Sequence, residues 1–238
     1  AYTASAHGKL PLRALTADRD ENINAYDEID LTIALDNADL SLLPVFSKHV
    51  EWALGPTEGS LKLHGTLAAP RLDGSVRVID GALKIKYLEN PIKNMDIQVD
   101  ALGDALVVRS CTGRMGDGSY MMTGRMDLRG MEPTGYDFAL VMNALAIKTS
   151  FFDGPLSGSL RLTEDEYWGE RLPKLSGSIE LDRALISIPS IPDTDDALPH
   201  FILDVDLNVN RHVHFFSPNF YDIHPSGHVH FGGTTHHP

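Results

Sequence analysis

Cysteine occurs once in this chain, at Cys111, so no internal disulfide can brace the fold. A buried spectator thiol is the ordinary role for such a residue. Aromatic residues make up only 8% of the sequence, so Leu, Val, Ile and Met must supply most of any apolar surface. Positive charge is scarce: 20 Lys and Arg stand against 33 Asp and Glu, a formal net charge of −13. That balance excludes a phosphate-binding surface, and nucleic acid is not an expected partner. No apolar run approaches the roughly 20 residues that span a bilayer as a helix, and no signal peptide is visible. Motifs of chemistry are missing too. No Gly-x-Ser-x-Gly elbow occurs, and no histidine stands near Cys111 in sequence to serve as its base. The glycines between Gly113 and Gly118 precede the alternating run Tyr120-Met121-Met122 rather than a helix, which reads as a hairpin turn and not a phosphate cradle. Neither an enzyme nor a cofactor is expected.

What the sequence has in quantity is alternation. Leu61 and Leu63, Val76 and Val78, and Leu83, Ile85 and Tyr87 are separated by Lys62, Arg77, Lys84 and Lys86. A period of two puts the apolar side chains on one face of a strand and the polar ones on the other. The habit continues through Ile97 and Val99, Tyr120 and Met122, Phe138 and Leu140, and Leu203, Val205 and Leu207. Steps containing glycine separate the runs and are short enough for antiparallel neighbours. One helix is expected over about 42–54, where Leu43, Phe46, Val50 and Leu54 recur at three- and four-residue steps before the stop Gly55-Pro56. Strands are also expected over 8–15 and 30–35 and a loop over 17–24; Asp193, Asp195 and Asp196 read as part of a solvated loop rather than a calcium site.

Internal repeats organise the chain. Leu72-Asp73-Gly74-Ser75, Leu156-Ser157-Gly158-Ser159 and Leu175-Ser176-Gly177-Ser178 open three similar runs. Gly227 to Pro238 repeats the pattern of Gly59 to Pro70. Stacked like units give an elongated array. The expected organisation is strands and the helix over 1–58, a first unit over 59–162, and a second over 163–238 that ends at the start of a further repeat. The chain opens and stops in mid-pattern, as a piece of a longer protein would.

Histidines gather toward the C-terminal end. His212 and His214 share a strand face, as do His228 and His230, and paired imidazoles two residues apart can grip a transition metal. No carboxylate or cysteine completes either set at short spacing, so these four are weak metal candidates. Polar-face positions opposite Val213, Phe215, Val229 and Phe231 are the expected role.

The run Gly59 to Val78, the step Pro91-Ile92-Lys93-Asn94-Met95, Gly154 to Gly158 and Asp204 to Val209 resemble, in their order, the C-terminal region of the TamB family. These are inner-membrane components of the translocation and assembly module, grouped with AsmA-like proteins and bridge-like lipid carriers. The resemblance implies an all-β fold: an elongated antiparallel sheet curled lengthwise into an apolar groove, a β-taco. It implies an inner-membrane anchor, a periplasmic location in the cell envelope, phospholipid acyl chains as cargo and an Omp85-class barrel as partner. The corresponding groove lining is Leu61, Leu63, Val76, Val78, Leu83, Ile85, Ile97, Val99, Tyr120, Met122, Phe138, Leu140, Leu203, Val205 and Leu207. An assembly factor that pairs its strand edges with outer-membrane or autotransporter β-proteins is the competing expectation. A structural spacer is the third.

Overall fold

The structure, a computed structural model, describes residues 3–9, 27–187, 200–217 and 220–235. The expected loops over 17–24 and 192–196 lie outside those residues, as does most of the strand expected over 8–15. The described chain is a single sheet of sixteen strands. In order they are β1 (Thr3–Lys9), β2 (Glu28–Asp39), β3 (Val50–Leu54), β4 (Pro56–Thr66), β5 (Ala69–Ile85), β6 (Ile92–Gly103), β7 (Ala105–Met115) and β8 (Gly118–Arg129), then β9 (Glu132–Lys148), β10 (Phe152–Tyr167), β11 (Glu170–Leu181), β12 (Leu185–Ser187), β13 (Ile202–Val209), β14 (His214–Ser217), β15 (Tyr221–Ile223) and β16 (Gly227–Thr234). The main path is β1-β2-β4-β5-β6-β7-β8-β9-β10-β11-β13-β16, and its two ends do not pair with each other. The sheet is curled and open, as a β-taco is. Its twelve-strand path spans about 50 Å at the usual strand spacing.

Bulges supply the curl. Register shifts interrupt β2–β4, β5–β6, β6–β7, β7–β8 and β9–β10. An extra residue in one strand bends it and increases its twist. Asp80, Asn94 and Ala144 adopt left-handed φ values of 47° to 49° at the interruptions, and Arg183, with φ 53°, lies between β11 and β12. The buried side chains follow this crease. Met115, Met142 and Leu145 form one cluster, and Leu181, Ala184 and Val213 another, with Val213 fully enclosed.

The sequence repeat is a backbone crossing. In the β4–β5 hairpin Ser60 faces Ser75, with Gly59 opposite Val76 and Gly74 opposite Leu61. In β10–β11 Ser159 faces Ser178, with Gly158 opposite Ile179 and Gly177 opposite Leu160. Gly59, Gly74, Gly158 and Gly177 have φ between 132° and 152°, and a Cβ at any of them would run into the facing serine's carbonyl. Only glycine fits where two strands approach this closely.

Two features differ from the sequence expectation. The helix is much shorter: a 3-10 turn at Leu40–Leu42 leads into α1 (Leu43–Phe46), a turn follows over 47–49, and the last five residues of the expected segment are β3. The long β5 explains this. It outruns β4, and its free end pairs with β3, placing Val50 opposite Ile85 and Ala53 opposite Leu83. Non-local pairing outweighs the local helical spacing, and Val50, Trp52 and Leu54 also alternate. The sheet is not wholly antiparallel either: β11–β13 and β12–β14 pair in parallel, each pair bridged by a connection longer than a hairpin turn. The expected unit boundaries at 58/59 and 162/163 lie within β4 and β10 of the one sheet. The expected turn after Met115 is present between β7 and β8. Among the described residues no helix is long and apolar enough to cross a membrane.

Candidate functional site

Residues paired across neighbouring strands share a face of the sheet. One row runs Leu35, Gly59, Val76, Val99, Val108, Gly124, Phe138, Leu162, Leu175, Leu203. The next runs Thr57, Val78, Ile97, Cys111, Met122, Leu140, Leu160, Gly177, Val205, Phe231. A third holds Tyr120, Met142, Gly158, Ile179, Leu207 and Val229, and a fourth Ile33, Leu61, Gly74, Ala101, Leu106, Met126 and Tyr136. Leu63 pairs with Leu31 and Leu72. Leu83 and Ile85 lie beyond the crease, opposite Ala53 and Val50. The register therefore assembles a nearly continuous apolar face across the strands.

Most of this face is half-buried rather than sealed; Val78 and Val205 are the buried members of the set expected to line the groove. Met122, Phe138 and Leu140 meet Leu160, Leu162 and Leu175 in an open recess of about 350 Å³ with no polar residue in its wall. Leu61 and Leu63 on β4, and Leu203, Val205 and Leu207 on β13, do not join that recess. They stand toward opposite ends of the path, about 40 Å apart at the usual strand spacing. Leu160, Leu162 and Leu175 are absent from the sequence-based lining, although Leu160 and Leu162 alternate as Leu61 and Leu63 do. Their membership in the repeat obscured their place in the face. Cys111 is buried in the second row, and burial pushes its thiol up from the ordinary range. The Tyr120 hydroxyl, 3.8 Å from that sulfur, is also pushed up, first by burial and then by Cys111.

The opposite face is mostly polar and ion-paired, with the exposed pair Met121 and Val141 as an apolar spot on it. Arg161 grips Asp137 with two hydrogen bonds of 2.8 and 2.5 Å. His64 lies 2.5 Å from Asp73, and Lys174 lies 3.1 Å from Asp165 and 3.5 Å from Asp204. Exposed pairs of this kind contribute little stability each; they keep this side wetted. One face thus offers non-directional apolar contact and the other faces water.

Each of the C-terminal histidines His212, His214, His228 and His230 is met by a carboxylate. His212 lies 3.4 Å from Asp182 and His214 lies 2.7 Å from Asp222. His228 and His230 both contact Asp206, at 3.1 and 3.0 Å, and these two bonds hold that carboxyl below the usual range. His212 and His214 thus lie against different carboxylates.

No protein-family model matches the chain, and no solved structure matches it. Two chloroplast proteins are similar. The rice (Oryza sativa subsp. japonica) protein SUBSTANDARD STARCH GRAIN 4 is 25% identical over 166 residues, 68% of this chain and 8% of its own length. The Arabidopsis thaliana protein TIC236 is 24% identical over 172 residues, 71% of this chain and 8% of its own length. The chain thus spans a small part of the curated relatives it matches. These findings correct the assignment to the C-terminal region of the TamB family: the relatives are chloroplast proteins and no family model supports that assignment. The motifs behind it are alternating apolar residues and crossing glycines, which a curled sheet needs whatever its lineage.

Proposed function

We propose that the apolar face of this sheet is a trough for lipid acyl chains and carries them between membranes of an envelope. The observation behind this reading is the recess walled by Met122, Phe138, Leu140, Leu160, Leu162 and Leu175, which is open, apolar throughout and continuous with aligned rows on both sides. Each methylene removed from water contributes roughly 0.8 kcal/mol, so an acyl chain lying in the trough is held firmly without any directional bond. Aliphatic walls let such a chain slide from one station to the next. The polar face keeps the outside of the trough in water. An aqueous space between two membranes is the matching location: a bacterial periplasm, or the equivalent space in an organelle. The two similar proteins are chloroplast proteins, and a chloroplast is bounded by such a pair of membranes. Phospholipid is the cargo class, and no reaction at the trough is proposed.

Lipid extraction and mass spectrometry of the purified protein test this. Wild-type protein should retain phospholipid, Leu162→Asp should lose it while keeping the strand spectrum, and Leu162→Ala should retain most of it. Equal retention by Leu162→Asp would count against the trough. A second reading rests on β16, which pairs with β13 on one side and with no described strand on the other, and exposes Val229 and Phe231. An edge like this can receive a client β-strand or a strand of an Omp85-class barrel. Crosslinks from β16 to such strands, with no lipid retained, would favour that reading.

A further inference from the structure

Away from the trough, His214, Asp222 and His224 are the described group of three metal-binding side chains whose ligating atoms all lie within 4.8 Å of one another. His214 opens β14, Asp222 lies in β15, and His224 follows directly. The hairpin pairs Phe215 with Ile223 and Phe216 with Asp222. Continued by one step, that register sets His214 opposite His224, and the period of two puts Asp222 and His224 on the same face. His214 Nε2 is 2.7 Å from Asp222 Oδ1. The imidazoles of His214 and His224 stack with centroids 4.5 Å apart and planes 17° from parallel.

We propose that this hairpin binds a transition-metal ion of the Zn²⁺ class through two imidazoles and one carboxylate. Two nitrogens and an oxygen suit Zn²⁺, with water in the fourth tetrahedral position. Bonds of about 2.0–2.1 Å require the ligating atoms to close to roughly 3.3 Å from one another, a movement that side-chain rotation on one hairpin supplies. The backbone beneath is already fixed. Val213 is fully enclosed, and the His214 amide donates to the Ala184 carbonyl at 2.8 Å. Phe215, adjacent in the strand, packs into that core, so His214 points to the other side, toward solvent. The overall charge of −13 favours a cation over an anion at this surface. A bound ion would staple β15, which has three paired residues, to β14. His228 and His230 differ in kind: their nitrogens reach one carboxylate, Asp206, without forming a convergent group.

Calorimetric titration of the metal-free protein with ZnCl₂, and with CoCl₂ followed by visible absorption, tests the proposal. The expected result is one equivalent of Zn²⁺ bound at micromolar concentration, with Co²⁺ giving the intense visible bands of a four-coordinate site and Mg²⁺ giving no signal. Losing a direct ligand exceeds the roughly 10–100-fold cost of losing an outer-shell partner, so His224→Ala and Asp222→Asn should each weaken Zn²⁺ by more than about tenfold. Both positions are exposed, and melting in EDTA checks that these variants fold as the parent does. His228→Ala with His230→Ala, and His236→Ala with His237→Ala, should leave binding unchanged. The proposal falls if His224→Ala binds Zn²⁺ as the parent does, if either control pair abolishes binding, or if the parent shows no binding in the micromolar range.

Discussion

The β4–β5 and β10–β11 hairpins share one backbone device and differ in what surrounds it. Each brings two Gly-Ser steps together so that the strands nearly touch. Around the first, the row through Gly74 continues into Ala101, a small side chain. Leu61, Leu63 and Leu72 flank Gly74 just as Leu160, Leu162 and Leu175 flank Gly177; the difference lies one strand away, where Leu162 pairs with the larger Phe138 and Leu63 with Leu31. The first crossing makes a bend; the second makes a bend with an apolar recess in it. The glycines set the approach of the strands, and the residues beside them decide whether the hollow holds anything oily.

Substituting the glycines is the most disruptive way to break this comparison. Gly74→Ala and Gly177→Ala should each lose about 3 kcal/mol or more, since strained φ alone costs about 1–3 kcal/mol and the facing carbonyl must also move. Urea unfolding checks this. A large loss at one site and tolerance at the other would show that the two crossings are different structures.

A smaller effect separates the hairpins by their contents. Val76 and Phe138 occupy the same row at β5 and β9. Both are half-buried, so Phe138→Ala should cost about 1–2 kcal/mol and Val76→Ala about 1 kcal/mol or less, below the figures for full burial. Retained lipid, measured by mass spectrometry, should fall sharply in the Phe138 variant and little in the Val76 variant. Equal lipid loss would spread the binding over the whole face rather than concentrate it at the second hairpin.

The least effect is expected from acid. Asp73 in the first hairpin is held below the usual carboxylate range chiefly by its bond to His64. Asp165 in the second is held low by the Glu166 amide and then by Lys174. A carboxyl depressed in the native state stabilises it above the ordinary range and loses that contribution as pH falls through the lower native value. Asp73→Asn and Asp165→Asn should therefore each slightly flatten the fall in stability between about pH 5 and pH 2, read from urea midpoints. A steeper fall in either variant would reverse the sign.

Much of the apolar face is legible in the sequence, because alternation is a local property. Leu61 and Leu63, or Leu203, Val205 and Leu207, need no partner to declare which side they take. The same legibility fails where a choice depends on residues distant in sequence. The spacing of Leu43, Val50 and Leu54 fits a helix until the free end of β5 offers Val50 and Ala53 a strand to pair with. His214 lies ten positions from His224, and only the β14–β15 register brings their rings together.

By itself the sequence determined that the strands have one apolar and one polar side, which follows from the pleat and acts within a few residues. That Gly59, Gly74, Gly158 and Gly177 mark close approaches of two strands, where the missing Cβ matters, emerged only from the register. The tertiary structure decided where the strands bend, that β11 and β13 run in parallel, that the sheet stays open, and which leucines converge on one recess. These depend on bulges and registers fixed between strands, and a period of two is the same in a flat sheet, a closed sandwich and a trough.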